Sequence, residues 1–185
     1  MQGGAGAVGQ CAIGLARHAG ASVIASVRSE RDADTARRAG AHHVVVLKGL
    51  SVEETLEGIL LHAPHGVDHL VEVAFHHNIA LDERLLGLGG SIATYATGDP
   101  QPTIPFWPLV FKNISLFFLG SDDFPADAKA AAASAINEAL QREWSGFEIG
   151  ARLPLESIAT EHELVEAGKT AGRVVLTLEG NDVPV

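Results

Sequence analysis

Cysteine is nearly absent from this sequence: Cys11 is the only one in 185 residues. No intrachain disulfide can form, and a zinc site of four cysteines is excluded. A reducing, cytoplasmic setting is therefore the expectation. Basic charge is also scarce, with 13 Lys and Arg against 23 Asp and Glu and a formal net charge of −10. With no basic cluster to set against that balance, neither nucleic acid nor an anionic membrane surface is an expected partner. No apolar run reaches the length of a bilayer span, and no charged start followed by an apolar stretch and a cleavage site marks a secretion signal. Apolar residues are present in quantity, at 46%, which supports a packed core and excludes a disordered chain. The length suits one ordinary domain with a small appendage.

Short runs rich in β-branched residues alternate with helical patterns, as in a parallel α/β sheet. The expected strands are 23–27, 44–47, 67–73, 91–95 and 114–119. Ser29 opens a helix that stops at Gly40, and Ser51 with Glu54 forms a capping box ahead of an apolar stripe. Asn78 is expected to cap a helix ending at Gly89-Gly90, and a proline-marked loop carries Pro100, Pro102, Pro105 and Pro108. An alanine-rich helix spans 126–142. Beyond about Gly146 the rhythm changes to strand, helix, strand over 147–178, too short to stand as its own domain. The expected division is 1–145 and 146–185.

Gly4-Ala-Gly6-Ala-Val-Gly9 matches G-x-G-x-x-G and leads into a helix over 7–19. In such a loop the first glycine makes a tight turn, the second lets backbone approach a pyrophosphate, and the third lets helix and sheet pack closely. Free N–H groups and the helix dipole then hold the anion. The end of the next strand selects the nucleotide. An acidic residue there suits the ribose hydroxyls of NAD, whereas a cation suits the 2′-phosphate of NADP. This sequence has Ser26-Val-Arg28-Ser29-Glu-Arg31. Arg28 or Arg31 can meet a phosphate as a bidentate fork, so NADP(H) is the expected cofactor, although Glu30 and Asp32 add negative charge beside them.

Nine histidines raise the question of a metal. His42 and His43 precede a strand, where neighbours point to opposite faces. His62 and His65 flank a helix end, where a cation suits the dipole. His76 and His77 follow the fourth expected strand, at the edge where ligands bind in open α/β sheets, with a solvated loop weighed against a cofactor contact. No Cys or carboxylate arrangement completes a zinc site, so no metal is expected. Cys11 lies early in the phosphate-loop helix, where a small buried role competes with an activated thiol.

Several stretches resemble the zinc-independent medium-chain dehydrogenase/reductase family, and more closely its NADPH:quinone reductase (zeta-crystallin-like) branch. They are Gly3 to Gly9, Leu15 to Ala21, Ala39-Gly-Ala41, Val67 to Glu72, Gly89-Gly90, Pro154-Leu155 with Glu161-His162-Glu163, and Gly172 to Leu176. The resemblance implies a Rossmann-type doubly wound parallel sheet, NADP(H), and metal-free hydride transfer to a small quinone or enone. It also implies a GroES-like catalytic domain ahead of the nucleotide domain, to which 146–185 returns as a C-terminal remnant, and a homodimer. The cofactor set expected with it is Gly3, Gly4, Gly6, Ala7, Val8, Gly9, Ser26, Arg28, Ser29, Arg31 and Arg173, with Phe75 and Tyr95 as walls of the nicotinamide pocket, weighed equally against ordinary aromatic core or edge positions. Where the family carries a Lys after the second strand this chain has Asp32. Leu47 replaces a frequent Tyr, and His76-His77 replace small residues.

In the doubly wound order 3-2-1-4-5-6 the strand before the phosphate loop lies mid-sheet. Only Met1 and Gln2 precede Gly3. The expectation is a sheet lacking its first strand, an empty slot between its neighbours, and a fragment that is incompletely folded and catalytically silent alone. Competing functions are a non-catalytic nucleotide-binding module, an enoyl reductase of the same superfamily, and a methyltransferase using S-adenosylmethionine. Arg28 counts against the last, since an acidic residue is expected at that strand end.

Overall fold

The structure is a computed structural model that describes residues 1–142, 144, 146–168, 170 and 172–178. Three parallel groups of strands organise it. β1 (Ile24–Val27) pairs with β2 (His43–Val46). β3 (Val67–Glu72), β4 (Leu86–Thr94) and β5 (Ser115–Phe118) form a second group in that order. β6 (Ile149–Pro154) and β7 (Arg173–Thr177) form a third. Between the strands run α1 (Ala7–His18), α2 (Glu30–Arg38), α3 (Val52–Leu60), α4 (Phe75–Leu85), α5 (Phe106–Phe111), α6 (Ala126–Gln141) and α7 (Ile158–Glu166).

Local chemistry accounts for most boundaries. Ser29 caps α2, its side chain accepting from the Asp32 N–H at 3.3 Å. The Ser51–Glu54 capping box starts α3, with Glu54 accepting from the Ser51 N–H at 2.7 Å and Ser51 from the Glu54 N–H at 3.2 Å. Two apolar clusters form the core. Ile13, Val23, Ala25, Val27, Ala33 and Ala36 join α1 and α2 to β1. Leu70, Phe75, Ile79, Leu85, Ile92 and their neighbours join α3, α4 and α5 to β3 and β4.

Two expected boundaries differ. Asn78 lies inside α4 and does not cap it; its side chain is held by Glu72 at 3.0 and 3.1 Å, a partner supplied by tertiary structure. β4 begins at Leu86, so Gly89 and Gly90 lie within a strand and do not end the helix. Gly89 takes φ +73°, and the pairing register shifts between Val67 and His69, so the glycines absorb an irregularity in the ladder. The proline-marked loop also contains α5, whose N-cap is Pro105.

The slot between β1 and β3 is filled only at its carboxyl end. Met1 accepts from the Ser26 N–H at 3.0 Å and the Gly4 N–H donates to Ser26 at 3.0 Å, while the Gln2 N–H donates to Val71 on the other side at 3.0 Å. Residues 1–4 thus bridge the two groups, giving the spatial order β2-β1-(1–4)-β3-β4-β5. The rest of the slot is a cavity of about 550 Å³, walled by Ala12, Ala16, Ile24, Ile59, Leu70 and others.

The C-terminal segment packs against α1 and α2. The Glu148 N–H donates to Gln10 Oε1 at 3.0 Å, Arg38 pairs with Glu148 at 3.1 Å, and Trp144 covers Gly14. Among the described residues no helix is long and apolar enough to cross a membrane.

Candidate functional site: a dinucleotide cleft

At the carboxyl ends of β1 and β3 the chain opens a cleft of about 520 Å³. Its floor is the glycine loop. Gly3 takes φ +66°, a left-handed conformation that favours glycine, and a Cβ on Gly4 would lie 2.8 Å from that of Ala25. The turn therefore belongs to Gly3, one residue before the position expected for it, and Gly4 is required by packing against β1. Gly6 is the N-cap of α1 and opens towards the cleft; a Cβ there would meet only the Gly3 carbonyl, at 3.8 Å. On Gly9 a Cβ would overlap the Gly3 carbonyl oxygen and lie 2.9 Å from Gly4. The Gln10 side chain ties down the Ala5 carbonyl at 2.9 Å. The loop is thus closely packed underneath and open at Gly6, where α1 begins; a helix start leaves N–H groups without intrahelical partners and carries a partial positive charge.

Of the residues expected to hold a cofactor, Gly3, Gly6, Ser26, Arg28 and Arg31 line this cleft together. Arg28 and Arg31 are both exposed. The others stand elsewhere. Ala7, Val8 and Gly9 form the first turn of α1 behind the loop, and Ser29 spends its hydroxyl on the α2 cap. Ser26 is buried and donates to Gln2, so its hydroxyl is engaged within the protein. Phe75 is not a pocket wall. It is 2% exposed, in the core, with its ring edge-on to Phe118 at 5.7 Å. Tyr95 is half-exposed outside the cleft, and burial, then the charge of Glu72, pushes its hydroxyl pKa up. The Arg173 guanidinium lies over the Phe147 ring at 5.8 Å, while the preceding Gly172, with Gly168 and Thr170, reaches the cleft.

The two adjacent histidines keep their rings 3.8 Å apart but differ in what they touch. His76 Nδ1 accepts from the Gly98 N–H at 2.9 Å and fixes the loop after β4, whereas the exposed His77 lines the cleft. His42 Nδ1 accepts from the Val23 N–H at 2.9 Å, and His43 stacks on His62 at 3.7 Å, which gives these residues structural roles. Burial pushes the Cys11 thiol up, with Arg173 acting weakly the other way, so this thiol is not activated. Among the described residues no group of three or more His, Cys, Asp or Glu is placed to hold a metal ion.

One feature of the site was not anticipated. Glu72, at the end of β3, and Asp82, on α4, are both fully buried beneath the loop. Asp82 falls on the buried stripe Phe75, Ile79, Asp82, Leu85, so a carboxylate at an apolar helical position was the sequence signal available.

Residues 7–134 match the family model described as zinc-binding dehydrogenase. The chain belongs to this family. Its curated relatives include a quinone oxidoreductase of Lama guanicoe, 25% identical over 97% of this chain and 54% of its own length. Solved structures with the same fold include a mycobacterial protein described as complexed with NADPH, at a TM-score of 0.80, 23% identity and coverage of 95% and 54%. A 2-haloacrylate reductase superposes at 0.82, with 21% identity and coverage of 97% and 56%. The chain spans about half the length of the curated relatives it matches. Its parallel α/β architecture is the Rossmann-type fold of these dehydrogenases. The zinc in the family's name has no fitting ligand set among the described residues.

Proposed function

We propose that this chain is the dinucleotide-binding part of an NADP(H)-dependent oxidoreductase that passes a hydride to a quinone or enone. The observation that carries this reading is the convergence of the open glycine loop and two arginines on one cleft, in a chain whose family is dehydrogenases. Membership alone leaves NAD and NADP open, and the arginines favour the latter.

Backbone around Gly6 and the start of α1 would receive the pyrophosphate, where N–H groups and the helix dipole favour an anion. Arg28 and Arg31 would take the 2′-phosphate as bidentate donors, in place of the family's Lys, where Asp32 stands. Bound NADPH supplies the hydride. The protein's part is to hold the dinucleotide across the sheet edge and keep its reactive ring turned towards the acceptor. No residue of the cleft is assigned a metal.

Residues 1–145 would form the nucleotide-binding unit, and 146–185 the segment returning to a GroES-like catalytic unit that shapes the acceptor pocket. A cytoplasmic enzyme and a homodimer fit this reading. The exposed Phe117 and Phe118 on β5, at the end of its group of strands, support the dimer. The test is fluorescence titration with NADPH, NADH and S-adenosylmethionine on the chain and on Arg28→Ala and Arg31→Ala. Preference for NADPH, lost in the arginine variants, supports the proposal; preference for S-adenosylmethionine or equal affinity for NADH overturns it.

A further inference from the structure

Beneath the cleft runs a buried polar chain that hydride transfer does not use. Ser26 Oγ donates to Gln2 Oε1, and Gln2 Nε2 donates to Asp82 Oδ1 at 3.0 Å. Next to Asp82 stands Glu72, whose oxygens accept from the Ala74 N–H and from Asn78 Nδ2. Both carboxyl groups belong to residues with no solvent exposure. Asp82 Oδ2 has no donor among the described residues, and Asn78, which holds Glu72, stands one helical turn before Asp82 on α4, so the charge of Glu72 acts on Asp82. Two carboxylates this close and this buried cannot both ionise cheaply, because like charges repel strongly where water is excluded. An unpaired buried oxygen adds a further cost. One proton resolves both problems by turning Oδ2 into a donor and leaving Glu72 its acceptor.

We propose that Asp82 is a positioning residue: it keeps a proton, donates it from Oδ2 to Glu72, and so holds Gln2 and the glycine loop in the shape that receives a dinucleotide phosphate. The last step rests on the dinucleotide reading above; the shared proton does not. The charged groups that act on Asp82 are Glu72 from β3 and the Met1 amine from the N-terminal segment. Across the contact with α3, Glu53 and Arg84 pair with each other at 2.6 Å on the exposed side. From the end of β4, Tyr95 feels Glu72. On α4 itself Glu83 pairs with Lys112 at 3.2 Å. The Met1 amine is the cation among these that acts on Asp82, and Oδ2 has no hydrogen-bond partner among the described residues. Burial first, and the Glu72 charge second, push the Asp82 carboxyl up to about 8, with the Gln2 hydrogen bond and the amine opposing.

Carboxyl-carbon NMR titration of the whole chain tests the proton, and NADPH titration from pH 7 to pH 9.5 tests its consequence. The expected Asp82 carbon titrates well above the ordinary carboxylate value of about 4. NADPH affinity should fall several-fold as pH rises through about 8. Asp82→Asn supplies a permanent N–H donor at the Oδ2 position, so it should bind NADPH without that alkaline loss. Asp82→Ala should bind about tenfold more weakly at pH 7, a difference of about 1.4 kcal/mol; if it fails to fold, Asp82→Asn still decides. An Asp82 carbon titrating below about pH 5, or an Asp82→Asn variant that keeps the alkaline loss, overturns the proposal. Absence of NADPH binding at pH 7 overturns the dinucleotide reading and the link to the loop, while the NMR titration still decides the proton.

Discussion

Gln2 joins the two halves of the sheet through one side chain, accepting from Ser26 Oγ at the end of β1 and donating to Asp82 Oδ1 on α4 at 3.0 Å. Its backbone N–H pairs with Val71 of β3 at 3.0 Å. Replacing it by Ala keeps the backbone bond but leaves buried polar atoms of Ser26 and Asp82 unpaired. Gln2→Ala should therefore lower stability by about 2 kcal/mol, the cost of orphaned buried groups, as read by denaturant unfolding. An unchanged midpoint would show that the bridge contributes little.

The loop glycines should respond differently to the same substitution. Gly9→Ala forces a methyl into the Gly3 carbonyl and the Gly4 backbone, neither of which is a flexible side chain. A loss of about 1–3 kcal/mol is expected for such overpacking. Gly6→Ala meets only one atom, at 3.8 Å, so stability should change by about 0.5 kcal/mol or less. Its effect should fall on NADPH affinity. Thermal unfolding and nucleotide titration of the two variants separate packing from binding.

Two buried groups give the stability curve opposing slopes. The folded state holds the Asp82 proton more tightly than the unfolded chain does, so that contribution is complete below about pH 4 and lost as pH rises through about 8. Burial lowers the Met1 amine to about 6, with the charges of Asp82 and Glu72 opposing. Because the unfolded chain takes up that proton first, the fold gains stability from about pH 6 to about pH 8. In Asp82→Asn only the amine's rise remains. The amine is common to both proteins, so their Tm curves should diverge steadily between about pH 4 and about pH 8, the interval over which the Asp82 contribution is lost; parallel curves would contradict the assignment.

The glycine loop, the strand and helix rhythm and both serine caps were legible because each depends on residues close in sequence. The capping box at Ser51 needs only Glu54. Asn78 misled because its partner, Glu72, lies on a neighbouring strand and outcompetes a local cap. Phe75 looked like a pocket wall from its place after β3, yet α4 starts at that residue and turns the ring into the core. Arg28 and Arg31 line the same cleft as Gly3 and Gly6. The Glu72–Asp82 pair joins residues ten apart whose approach depends on the fold of α4 against β3.

The slot between β1 and β3 offers a gain in stability. Its walls are largely apolar, and residues 1–4 already enter it along both neighbouring strands. An extended, β-branched segment of about five residues placed ahead of Met1 matches an ordinary strand length and would continue that pairing. It should raise the thermal midpoint and slow amide exchange in β1 and β3. A polar Gly/Ser segment of equal length is the control, and equal effects from the two would contradict a strand-shaped slot.

The most direct measurement is the Kd for NADPH and for NADH in parallel, on the chain and on Arg28→Ala/Arg31→Ala. NADPH should bind tighter than NADH by at least about tenfold, or about 1.4 kcal/mol, and the double variant should erase that difference while leaving NADH affinity unchanged. Equal binding of the two nucleotides by the unmodified chain, or a preference that survives loss of both arginines, would contradict an NADP(H) cleft.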